Sequence, residues 1–213
     1  MKIDLRGRRA LVLGGAGGVH DTVVATLAGC GAVVDERVPG GSPGLDCGSR
    51  DAAIVAANNH VAAHGSPDIL VNLSATAGFI DGGTAAAEET DWFVHATRAF
   101  APFASRVINV ISVAGLVPVL GAVALSAHHA GLASLTRALA MELAPNVLVN
   151  ALAVGALGQD GERLLSHSPL KRAAEPAEVG TALLFLAAPR NTYTTGHVMA
   201  VDGGWSIGYA RNF

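Results

Sequence analysis

The sequence predicts one α/β domain, a doubly wound parallel sheet with helices on both faces. Short apolar runs alternate with longer stretches of helical period along the chain, the pattern of successive β/α units. Residues Ile69–Leu73 and 107–112 read as inner strands, apolar as a sheet covered on both faces requires. A glycine cluster joins the first strand to the first helix. Neither a linker nor an internal repeat breaks the pattern, so residues 1–213 read as a single domain.

Each element follows from local composition. Residues 10–13 form a buried strand that ends in Gly14-Gly15-Ala16-Gly17-Gly18. Residues 19–29 are helical, with Val23, Val24 and Leu27 on one face. A second strand begins near Val33, residues 39–44 form a loop, and 51–64 form a helix stopped by Gly65-Ser66-Pro67. Residues 84–104 hold one helix or two short ones, and 126–143 the longest helix, terminated by Pro145. Residues 147–154 and Val198–Val201 are strands, with a helix at 177–187.

Composition narrows the function. In 213 residues, 51% are hydrophobic and 5% aromatic, so small and branched aliphatic side chains fill one core. The formal charge of −3, with no basic stripe, argues against nucleic acid as a partner. Cys30 and Cys47 make no disulfide framework or CxxC pair, which fits a reduced, cytoplasmic setting. The N-terminal segment lacks an apolar signal core, and no apolar run is long enough to span a membrane.

A glycine loop between a strand and a helix is where a dinucleotide pyrophosphate rests. Glycines allow close backbone approach, and the helix N-terminus offers unsatisfied N–H groups. The loop at 13–20 has that context, which marks Gly14, Gly15 and Gly18 as cofactor-binding.

The order of motifs resembles the short-chain dehydrogenase/reductase family along nearly the whole chain. Val12-Leu13-Gly14-Gly15-Ala16-Gly17-Gly18-Val19 stands where the family has Thr-Gly-x-x-x-Gly-x-Gly, and Leu45-Asp46 resembles its acidic residue near the adenine. Leu70-Val71-Asn72 matches the central-strand Asn motif, and Ile108-Asn109-Val110-Ile111-Ser112-Val113-Ala114-Gly115 the strand with the catalytic Ser. Leu135-Thr136-Arg137-Ala138, Val149-Asn150-Ala151 and the ending Val201-Asp202-Gly203-Gly204-Trp205 complete it. The resemblance implies a Rossmann-like fold, NAD or NADP as cofactor, a small carbonyl or hydroxyl substrate, and a homo-oligomer, dimer or tetramer. It places His20, Asp46 and Asn72 among the cofactor contacts.

The chemistry motifs depart from that family. Its Tyr and Lys lie four apart on one helix face, the Tyr exchanging the proton and the Lys lowering its pKa. Here Leu125 and His129 hold those positions, and no Asn lies between Trp92 and Arg106 to support them. His20 replaces the last glycine of the loop, and Asp21 disfavours an extra phosphate. Asp35 could reach an adenosine ribose, although Arg37 matches that position better by spacing, which leaves NAD against NADP open. The lid region, about 155–176, is short.

Ser112 and His129 are therefore the expected catalytic pair, with imidazole as the replacement acid or base. The competing expectation is that His129 fills the lysine's space and hydrogen-bonds a backbone carbonyl. His128 points about 100° away and reads as a surface or interface residue. His95 reads as a partly exposed structural residue. His60 and His64 have a spacing that can hold a metal, but no third ligand is evident and a helix C-terminus favours histidine anyway. No metal is expected. Tyr193 falls in a loop and Tyr209 in the C-terminal tail, and Trp205 and Phe185 read as packing surface. Three functions remain in order: an atypical oxidoreductase, a non-redox enzyme such as a dehydratase, isomerase or cyclase, and a catalytically silent relative.

Overall fold

Branched and small apolar runs form six strands: β1 Arg9–Gly14, β2 Val33–Arg37, β3 Ile69–Leu73, β4 Arg106–Ser112, β5 Leu148–Val154 and β6 Val198–Val201. Among the described residues five helices connect them: α1 Gly18–Gly29, α2 Arg50–His64, α3 Ala86–Phe100, α4 Val123–Leu143 and α5 Pro176–Ala187. The computed structural model describes residues 3–15, 17–37, 45–74, 86–158 and 167–208, the side chains of 86–88 excepted. The expected loop at 39–44 and Tyr209 lie outside these residues.

All neighbouring strands pair in parallel, in the order β2-β1-β3-β4-β5-β6. The order reverses between β1 and β3, so the crevice of the sheet opens at their carboxyl ends. The apolar residues of the inner strands alternate between two cores. Val12, Val71, Val110 and Leu152 pack under α1 and α5 with Val23, Leu27 and Leu183. Leu11, Leu70, Val107 and Val149 pack under α2, α3 and α4 with Ala53, Ala57, Phe100 and Leu139. Among the described residues no helix is long and apolar enough to cross a membrane.

The helices differ from expectation at their starts. α4 begins at Val123, ahead of the polar Ser126, whose hydroxyl accepts from the Val119 N–H at 3.0 Å. A serine reads as an N-cap in sequence, but here it ties the preceding turn to the helix body. Residues 86–100 form one helix. α5 starts at Pro176 and carries a reciprocal capping box between Glu175 and Glu178.

Polar residues inside the sheet are tied together across it. Asn72 donates to Thr97 Oγ1 (3.0 Å) and to Asn109 Oδ1 (2.9 Å), and Asn109 donates to Thr136 Oγ1 (3.0 Å). Thr136 then donates to the Leu132 carbonyl at 2.9 Å. All four residues are buried, so this chain fixes α3 and α4 against β3 and β4. Asn109→Ala strands one donor of the Asn72 amide and removes a partner of Thr136, and should lower stability by about 3 kcal/mol. A urea titration with a lowered midpoint and unchanged slope is the expected readout.

Candidate active site

At the crevice floor, Gly14 and Gly15 have φ angles of 82° and 69°. A Cβ on Gly14 would stand 2.4 Å from the Leu73 carbonyl oxygen, so the loop closes over β3 with glycine alone. Gly17 caps α1 without a side-chain hydrogen bond, whereas Ser49 caps α2. The first turn of α1 thus lacks a side-chain acceptor, the condition for receiving an external anion. A Cβ at Gly18 would meet only Leu157, at 3.9 Å, among the described residues.

His20 is buried, its ring nitrogens 3.4 Å from carboxylate oxygens of Asp21 and Glu36. Glu36 therefore stands beside the glycine loop. Asp35 faces the other side of β2, where Arg37 Nη1 lies 2.6 Å from its Oδ1. Neither Asp35 nor Arg37 is the acidic or basic residue at the loop. The signal for Glu36 was strand alternation, which turns successive side chains to opposite faces. Asp46 is exposed ahead of α2, with Oδ1 accepting from the Gly48 N–H at 2.8 Å. The next residue, Cys47, is buried and its thiol is pushed up to about 12, so it stays protonated.

Two expected site residues are fully buried. Asn72 belongs to the strand-crossing chain described above, where its side chain acts as a structural tie. His129 is fully buried, and its Nδ1 accepts from the Ser112 N–H at 3.2 Å. It accepts from backbone rather than donating to a carbonyl, which leaves its proton on Nε2. Burial first, and His128 second, push its pKa down to about 4. The ring is buried, and neutral near neutral pH.

The cause is close packing. Ser112 ends β4 and its Oγ accepts from the Ala114 N–H at 3.2 Å, starting a short turn over Val113–Gly115. A Cβ on Gly115 would stand 2.4 Å from the His129 carbonyl carbon. An imidazole is shorter than the lysine it replaces and ends against the strand.

His128 also differs from expectation. Its side chain is 5% exposed, not a surface group, and its Nε2 lies 2.5 Å from Glu89 Oε2. Its Nδ1 is 3.3 Å from Thr90 Oγ1. The same Glu89 oxygen accepts from Ser74 Oγ at 2.9 Å. Ser74 follows β3 and donates its N–H to the Val110 carbonyl at 3.0 Å, one strand from Ser112. Glu89, 21% exposed, thus brings a carboxylate to the carboxyl end of the sheet. The spacing from Leu125 to His128 is one helical turn, about 60° apart in projection, which was the available signal. His95 Nδ1 donates to the Cys47 carbonyl at 3.2 Å, a structural role.

The profile of a family described as Enoyl-(Acyl carrier protein) reductase matches residues 36–206. The chain belongs to the short-chain dehydrogenase/reductase family. It is 30% identical to 3-oxoacyl-[acyl-carrier-protein] reductase FabG of Thermotoga maritima, over 95% of this chain and 99% of that protein. Its match to FabG of Aquifex aeolicus is 41% identical but spans 46% of this chain and 44% of the relative's length. A short-chain dehydrogenase/reductase from Serratia marcescens aligns at 26% identity and a TM-score of 0.77, covering 95% of this chain and 99% of that one. A Pseudomonas aeruginosa RhlG/NADP complex shares the fold at 24% identity and a TM-score of 0.82, over 96% and 98% of the two chains. This short-chain dehydrogenase/reductase is therefore a member of an oxidoreductase family with a Rossmann-like fold.

The buried His129 has a thermodynamic signature. The unfolded chain protonates it near 6.5 while the native ring stays neutral down to about 4. Between these values the unfolded state binds more protons, so stability falls as pH drops through that window. The loss should reach about 3 kcal/mol. His129→Gln, which keeps an acceptor for Ser112, should show a flatter profile than the parent in denaturant titrations at stepped pH.

Proposed function

We propose that this chain is an NAD(P)-dependent oxidoreductase of a small carbonyl or hydroxyl compound, with the Glu89–His128 pair exchanging the proton. The observation that carries the reading is the Glu89 carboxylate, partly exposed, held by His128 at 2.5 Å and Ser74 at 2.9 Å on the strand beside Ser112. An imidazole against a carboxylate can hold and pass one proton between them, as acid–base exchange requires.

The residues at the loop suit a dinucleotide. Gly14, Gly15 and Gly18 would take the pyrophosphate on the first turn of α1, and the buried His20 would stand beside it. Glu36 would accept from the adenosine ribose hydroxyls, and its charge, with that of Asp21, disfavours a further phosphate. We therefore favour NAD over NADP. Asp46 would border the adenine. When bound, the nicotinamide supplies or accepts a hydride. Ser112 Oγ accepts from Ala114 N–H, which leaves the hydroxyl proton to hold the oxygen of the substrate.

A catalytically silent relative is the second reading, favoured by Leu125 and the sealed His129. Fluorescence titration with NADH and NADPH, followed by turnover on a panel of small ketones, aldehydes and alcohols, separates the two. NADH should bind more tightly than NADPH. Glu89→Gln and Ser112→Ala should each lower turnover by about 100-fold or more while leaving NADH affinity in place. Cofactor binding with no turnover on any compound would favour the silent reading. Absence of binding at millimolar concentration would sink the cofactor assignment.

A further inference from the structure

We propose that Asp35, His60 and His64 form a binding site for one zinc-like transition-metal dication on the β2 edge of the sheet. His60 and His64 lie one turn apart at the end of α2, with ring centroids 4.9 Å apart. The sequence offered no third ligand because it stands on a different element. β2 carries Asp35 to the two rings, its Oδ2 3.6 Å from His60 Nε2 and 3.7 Å from His64 Nδ1. One ligand atom from each residue falls within 4.8 Å of the others.

Metal bonds of about 2.0–2.2 Å place tetrahedral ligands roughly 3.4 Å apart. The two Asp35–histidine separations therefore need to contract by only a few tenths of an ångström. Two imidazoles and one carboxylate select a borderline cation, since calcium and magnesium take shells of oxygen. Exposure is graded, with the His60, Asp35 and His64 side chains 4%, 21% and 43% exposed. The solvent side is that of His64, where a metal could enter and keep a water as its fourth ligand.

Arg37 is the competing cation. Its guanidinium lies 2.6 Å from Asp35 Oδ1, and its Nη2 lies 3.1 Å from Asp35 Oδ2 and 3.2 Å from His64 Nε2. Arginine only donates, so His64 Nε2 accepts and the ring carries its proton on Nδ1. For a metal to take Nδ1, Arg37 withdraws from His64 and the proton moves to Nε2. The ring stays neutral with no net proton lost. Arg37 can keep its contact with Oδ1 while the metal takes Oδ2. None of these residues belongs to the crevice, which lies on the Glu36 side of β2, so the site stands or falls apart from the proposed activity.

The test is titration of the untagged, chelator-treated full chain with Zn(II) by calorimetry and with Co(II) by visible absorption. One equivalent should bind at micromolar concentration, with a Co(II) spectrum of nitrogen and oxygen ligands and no thiolate band. His60 packs edge-on against Phe100, so the more exposed His64 is the better residue to replace. His64→Ala should weaken binding at least about tenfold, and Arg37→Gln should tighten it by removing the competing charge. Equal affinity in His64→Ala overturns the proposal. So does absence of binding at millimolar metal in both the parent chain and Arg37→Gln.

Discussion

The distance between α4 and the end of β4 governs the site more than any single reactive group. Gly115 brings the turn after β4 into contact with the helix backbone at His129, with no room for a side chain between them. Everything on that side of the crevice follows from this approach. Ser112 is held by its backbone N–H and its hydroxyl, and the His129 ring is enclosed against the strand that it supports. An enclosed imidazole loses the solvation that would stabilise its charged form, so it becomes an acceptor of fixed tautomer. A residue type that usually titrates in the physiological range is here a neutral spacer.

The other proton-bearing groups are arranged by α3. Its first turns carry Glu89 and Thr90 to His128, and Ser74 completes the set from the end of β3. Beneath them, the asparagine and threonine chain fixes the same two helices to the same two strands. The buried polar residues are thus layered: a structural tie within the sheet, and a titratable cluster above it at the carboxyl ends. Both layers need α3 and α4 to be close, which small residues such as Ala96, Ala99 and Ala140 permit.

The fold was legible because its signals are local. Apolar runs, glycine stops and Pro145 locate strands and helices within a few residues, and the order of motifs fixes the parallel sheet. Ser112 was legible for a related reason, since the carboxyl end of an inner strand is a position defined by topology. His129 was placed on the right helix face, but its burial depends on how near Gly115 comes to the helix. Glu89 and His128 meet only through the packing of α3 on α4, and Asp35 meets His60 and His64 only through the layering of α2 on β2. Spacing along one element cannot report any of these distances. Glu36 is the exception: alternation along β2 was enough to turn it toward the loop, while Asp35 and Arg37 took the opposite face.

Among the described residues β2 is also a border of the sheet, paired only with β1. A parallel sheet with an open edge invites another chain to continue it through the backbone groups of that side. Three consecutive charged residues, Asp35, Glu36 and Arg37, end this strand, and they send charge to both faces at once. An incoming strand would have to strip water from all of them and break the Asp35–Arg37 pair. The charges at the end of β2 thus also oppose extension of the sheet at this edge.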